Sequence, residues 1–112
     1  MYQLIAFFRQ PADPAAFDAA YWNTHVPLAK KIPGVISLDV SKTHPGKDGP
    51  SKYYQISVLS FADKNTFKAA MKSPENAEAG ANLMSFAKDI VEFCTAEKVK
   101  PSILPLNVEE RI

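Results

Sequence analysis

An extended chain sends alternate side chains to opposite faces. In Tyr2–Arg9 both faces are apolar: Leu4, Ala6 and Phe8 point one way, Ile5 and Phe7 the other. Tyr53–Phe61 repeats the condition, with Ile56 and Val58 opposing Tyr53, Leu59 and Phe61. An antiparallel strand with one wet face shows polar residues there, so these two demand cover on both sides. Two helical segments cover one face only. A symmetric partner sheet is the simplest cover for the other, and it would give an eight-stranded α+β barrel across a homodimer. The apolar C-terminal arm folded over within one chain is the alternative.

The remaining elements follow from punctuation. Asp13-Pro14 reads as an N-cap with proline at the first helical position, where a missing N–H costs nothing. Phe17, Ala20, Tyr21, Thr24, His25, Leu28 and Ile32 then fall on one stripe at helical spacing. Pro27 interrupts that stripe, because its nitrogen cannot donate and its ring crowds the Asn23 carbonyl. The expectation is one helix to about Val26, a kink or break, and a short helical turn ended by Pro33-Gly34. Val35–Thr43 and Tyr53–Phe61 read as strands joined by the Gly- and Pro-rich loop His44–Lys52. Asp63 and Ser73 are caps for a second helical region. Its inward residues are Phe67, Ala70 and Met71, and the small residues Ala77, Gly80 and Ala81 follow with Met84. A last strand is expected over Val91–Lys98. The order is β-α-β-β-α-β, an α+β, ferredoxin-like sandwich of two split βαβ units. Residues 1–98 form one domain, and residues 99–112, broken by Pro101 and Pro105, form an extended C-terminal arm.

Composition removes several function classes. Thirteen Lys and Arg against twelve Asp and Glu leave a net charge of +1, scattered rather than clustered, so no nucleic-acid partner is expected. The longest fully apolar run, Leu4–Phe8, is far short of the ~20 residues of a membrane span. Nor does the start of the chain look like a signal peptide, which suggests a cytoplasmic protein. A single Cys excludes disulfide frameworks and multi-cysteine metal sites, and two His without a Cys pair make zinc an unsupported choice. Cys94, between Phe93 and Thr95 on the last strand, reads as a small core residue. His44 precedes Pro-Gly in a loop and reads as a bystander. No Gly-rich phosphate loop exists, so a nucleotide cofactor has no basis. No second signal beside His25 supports haem.

The strongest local pattern is Tyr21-Trp-Asn-Thr-His25-Val-Pro27-Leu28. Residues four apart share a helix face, so Tyr21 and His25 both project toward the sheet with Phe17 and Leu28. An imidazole titrates near cellular pH, as a general base must, and a phenol beside it can donate to a developing oxyanion. The competing reading is a buried histidine satisfied by a backbone carbonyl, with Tyr21 as ordinary core. On the catalytic reading His25 and Tyr21 act, while Phe17, Trp22, Leu28 and one of the adjacent Tyr53 and Tyr54, here Tyr54, enclose the substrate.

The stretches Tyr2–Phe8, FDAAYWNTHVPLAKKIPGV (Phe17–Val35), YYQISVLSFAD (Tyr53–Asp63) and SPENAEAGANLMSFA (Ser73–Ala87) resemble the EthD family of small α+β barrel proteins, in that family's order and spacing. Its most specific piece is Tyr-x-x-x-His-x-Pro-Leu followed by Pro-Gly. The resemblance implies a ferredoxin-like fold, a dimeric α+β barrel, and kinship with cofactor-free polyketide cyclases, decarboxylases and small monooxygenases. It puts Tyr21 and His25 on the family's motif positions, and the family's namesake belongs to a system degrading ethyl tert-butyl ether. It carries no role to the loop His44–Lys52 or to the arm. The functional expectation is a cofactor-independent enzyme acting on a small hydrophobic or aromatic metabolite between the first helix and the sheet, with no metal. The alternative is a non-catalytic dimeric binding protein assisting a degradative enzyme system.

Overall fold

The computed structural model describes residues 1–99. It runs β1 (Tyr2–Arg9), α1 (Pro14–Ala20), a π-helical turn (Tyr21–His25), α2 (Val26–Ala29), β2 (Ser37–Lys42), β3 (Tyr53–Phe61), α3 (Lys64–Met71), α4 (Pro74–Ala87) and β4 (Val91–Glu97). The strands form one antiparallel sheet in the order β2-β3-β1-β4, with the helices on one side. This is the α+β, ferredoxin-like architecture read from the sequence. Apart from residue 99, the expected C-terminal arm lies outside the described residues.

The three helices that begin from extended chain, α1, α3 and α4, start where a side chain can satisfy a free N–H. Asp13 accepts from the Ala16 N–H, Asp63 from Thr66 and Ser73 from Asn76. The expected break at Pro27 takes another form. The chain stays helical through Lys30 but widens, so that the Val26 N–H donates to the Tyr21 carbonyl five residues back. Pro27 has no N–H for the Asn23 carbonyl and pushes it aside. A π-turn absorbs that mismatch without ending the helix. β2 starts at Ser37, two residues later than expected, because Gly34 turns the chain with φ +83°. A Cβ there would also meet Thr66 Cγ2 at 2.5 Å, so Gly34 satisfies both the turn and the packing.

The register pairs Leu4 with Leu59, Ala6 with Ser57 and Phe8 with Gln55, which turns these residues toward the helices. Strict alternation would put Tyr53 with Leu59 and Phe61. It does not, because the β1–β3 pairing skips a residue between Phe8 and Arg9 and brings Arg9 opposite Tyr53. That bulge turns Tyr54 inward against Phe17 and leaves Tyr53 on the far face against Phe7, ring centroids 5.2 Å apart. On that far face Ile5, Phe7, Ile56 and Val58 are half-buried and belong to neither core cluster. Cys94 also lies there, opposite Ile5, and is exposed rather than core, since β4 is an edge strand that no described element covers on that side.

Candidate functional site

The layer between helices and sheet is filled unevenly. Where α4 passes over the sheet it presents Ala77, Ala79, Gly80 and Ala81, whose side chains are too short to reach Leu4, Ala6 and Leu59 below. A half-open cavity of about 460 Å³ remains, within the range of small-molecule sites. Its walls are mostly apolar. Met84 and Phe93, 38% and 48% exposed, are the large lining side chains most open to solvent. Polar side chains reach it from three elements: Tyr21 and His25 from the π-turn, Ser57 from β3 and Asn76 from α4.

Tyr21 is 1% exposed, and its hydroxyl lies 2.6 Å from Ser57 Oγ. Gln55 Nε2 donates to the same Ser57 oxygen at 3.1 Å, so three buried side chains form a chain of contacts on the sheet floor. Burial pushes the phenol's pKa up, and the Ser57 contact partly opposes that shift. The His25 ring lies 5.5 Å from the Tyr21 ring and 6.4 Å from Phe86. Burial lowers its pKa below the ordinary value, while the Asn82 side chain and the Ala79 backbone on α4 favour the protonated ring and oppose the fall. Neither His25 Nδ1 nor Asn82 Oδ1 completes a hydrogen bond, although both are buried. Burial thus favours the neutral ring, in which one of the two nitrogens is an acceptor, as a proton-accepting group requires.

Of the residues singled out from the sequence, Tyr21 and His25 line the cavity together. Phe17 lies behind Tyr21, stacked on its ring at 5.9 Å and touching Phe8, Tyr54 and Phe86. Tyr54 is inward but distant from the cavity lining, with its hydroxyl donating to Asp18 and Lys42 Nζ over its ring. Leu28 packs with Ala29 and Ile32 in the second core cluster. Trp22 is 48% exposed and lines a separate groove with Val26 and Ile36. One helical residue swings a side chain by roughly 100°, which carries Trp22 off the stripe its neighbour Tyr21 occupies. These four therefore lie outside the cavity wall where the sequence reading had them enclosing a ligand. Ser57, Gln55, Asn76 and Asn82 were not anticipated. Gln55 and Ser57 share the parity of Leu59 and Phe61, and polar residues at core-facing strand positions were the available signal.

Among the described residues no cluster of three or more His, Cys, Asp or Glu is placed to hold a metal ion. No described helix is long and apolar enough to cross a membrane.

A family model described as the EthD domain matches residues 9–94. An uncharacterized 11.0 kDa protein from the thcB-thcC intergenic region of Rhodococcus erythropolis is 36% identical over 103 residues, covering 90% of this chain and all of the relative. The crystal structure of an ethyl tert-butyl ether D (EthD) family protein from Bacillus halodurans superposes with a TM-score of 0.84 at 34% identity, covering 88% of this chain and 99% of that one. SnoaB, a cofactor-independent oxygenase from Streptomyces nogalater, shares the fold at TM-score 0.66 and 16% identity, over 94% of this chain and 97% of its own. So does a dimeric ferredoxin-like protein of unknown function from Jannaschia, at TM-score 0.63 and 17% identity over 88% and 100%.

Proposed function

The chain belongs to the EthD family, and on that premise we propose that it is a cofactor-independent enzyme acting on a small hydrophobic or aromatic metabolite. The observation that carries the reading is that the His25 and Tyr21 side chains line the same apolar cavity. His25 takes a proton from the substrate, and Tyr21 steadies the oxygen on which charge develops. The reaction class is cyclisation, decarboxylation, dehydration or oxygenation at an activated carbon. The fold shared with a cofactor-independent oxygenase supports such chemistry. Loss of a general base typically costs 10²–10⁴-fold, so His25→Ala is expected to cut turnover of a confirmed substrate by about that much with an unchanged unfolding midpoint. The base works unprotonated. The wild-type rate therefore rises with pH through a value below the ordinary 6.5 and is flat above it. Full turnover by the variant overturns the assignment.

One observation favours a non-catalytic binding protein instead: the Tyr21 hydroxyl is already engaged by Ser57. That reading requires saturable ligand binding with no turnover and no dependence on His25. In either case the proposal includes a cytoplasmic homodimer joined through the far sheet face, where no described element covers Ile5, Phe7, Ile56 and Val58. Sedimentation is expected to give a dimer that Phe7→Asp dissociates. A wild-type monomer removes that part of the proposal.

A further inference from the structure

The cavity's charge inventory restricts its ligand beyond size. None of the described residues lining it is Lys, Arg, Asp or Glu, and the one basic side chain among them, His25, is held toward its neutral form by burial. An anion held away from water needs a cation or several N–H donors, and the backbone does not supply them here. The first turn of α4 borders the cavity through Asn76 and Ala77 and has few donors to give: Ser73 Oγ takes the Asn76 N–H, the Ser73 carbonyl takes that of Ala77, and Pro74 has none, which leaves only the N–H of Glu75 in that turn. Glu75 in that first turn adds negative charge.

The hydrogen bonds beneath the cavity bear on the ligand as well. Gln55 Nε2 donates to Ser57 Oγ. Either hydroxyl of the Tyr21–Ser57 pair can donate to the other, and with Ser57 as the donor the Tyr21 O–H is left for a ligand in the cavity.

We infer that the site takes uncharged ligands carrying a hydrogen-bond-accepting oxygen for Tyr21, and discriminates against carboxylates and phosphates of the same shape. The inference rests on the reading of this cavity as a ligand site. It makes the polar end of the pocket a reader of charge state, so a substrate arrives as a neutral ketone, quinone, ester or phenol, and decarboxylation of a free carboxylate drops out of the reaction classes proposed above.

Three probes of nearly equal shape test it by calorimetric or NMR titration at pH 7.5: 2-acetylnaphthalene, 2-ethylnaphthalene and 2-naphthoate. The ketone is expected to bind most tightly. The hydrocarbon should be weaker by about two- to tenfold, as for one lost hydrogen bond. The carboxylate should be weaker by about a hundredfold, reflecting its uncompensated desolvation. Tyr21→Phe is expected to remove the ketone's advantage while leaving the hydrocarbon's affinity unchanged. Gly80→Leu, at a position whose added Cβ meets nothing within 4 Å, should abolish binding of both by filling the cavity. Naphthoate binding within tenfold of the ketone overturns the charge discrimination with the cavity reading intact, and a ketone advantage that survives Tyr21→Phe overturns the donor assignment. Failure of all three probes to bind overturns the cavity reading and this inference with it.

Discussion

The two ends of the helix–sheet layer are built from the same elements and differ in side-chain size. At one end Phe8, Phe17, Tyr21, Tyr54 and Phe86 interlock, with ring centroids 5.2–5.9 Å from Phe17. At the other, Ala77, Ala79, Gly80 and Ala81 face Leu4, Ala6 and Leu59 across open space. The first end is a core in the ordinary sense, where aromatic area dominates stability. The second has a smaller core around Ile32, Phe61, Ala70 and Ala79 and keeps a chamber beside it. Tyr21 belongs to both, stacked on Phe17 in the aromatic cluster and lining the cavity, so the rigid end holds a functional group steady for the hollow one.

Truncation at the two ends should therefore differ sharply. Phe17→Ala is expected to cost about 3–5 kcal/mol in denaturant unfolding, whereas Met84→Ala at the partly exposed cavity wall should cost less than about 1 kcal/mol. Equal losses would abolish the distinction. Ser57→Ala addresses the seam between the ends. It leaves the Tyr21 hydroxyl and the Gln55 amide buried without their shared partner, an expected loss of about 1–3 kcal/mol. Pairing it with Tyr21→Phe should recover part of that loss, and strict additivity of the two would contradict the contact chain. The smallest effect has the opposite sign. Gly80→Ala has room for its methyl group and removes a helix-interior glycine, so a gain of about 0.5–1 kcal/mol is expected in the same unfolding experiment.

Much of the architecture was legible because it rests on local rules. Asp13-Pro14, Asp63 and Ser73-Pro74 announce helix starts through backbone N–H groups that need acceptors. The double apolar parity of β1 agrees with a sheet whose far face no described element covers. The misplacements share a cause: they depend on a single residue's shift in phase. The bulge beside Arg9 exchanged the faces of Tyr53 and Tyr54, and Trp22 lies one helical step from the stripe that turns inward. Edge placement of β4 exposed Cys94, which hydropathy alone put in the core.

Within the site, Tyr21 and His25 were recognisable because four-residue spacing on an amphipathic helix is a geometric statement made by the chain itself. Their polar partners were not. Ser57 and Gln55 lie more than thirty residues away in sequence, and strand register alone brings them beneath Tyr21.

What the order of amino acids determined here is periodicity: which segments coil, which extend, where they begin, and that an imidazole and a phenol share one inward stripe. What the tertiary structure alone decided is phase and distance. Pro27 produced a widened turn rather than a break, one skipped residue in a strand pair reversed two tyrosines, and short α4 side chains left room opposite the sheet. Periodicity comes from bonds between near neighbours, whereas phase and empty volume arise only when distant segments are fitted against each other.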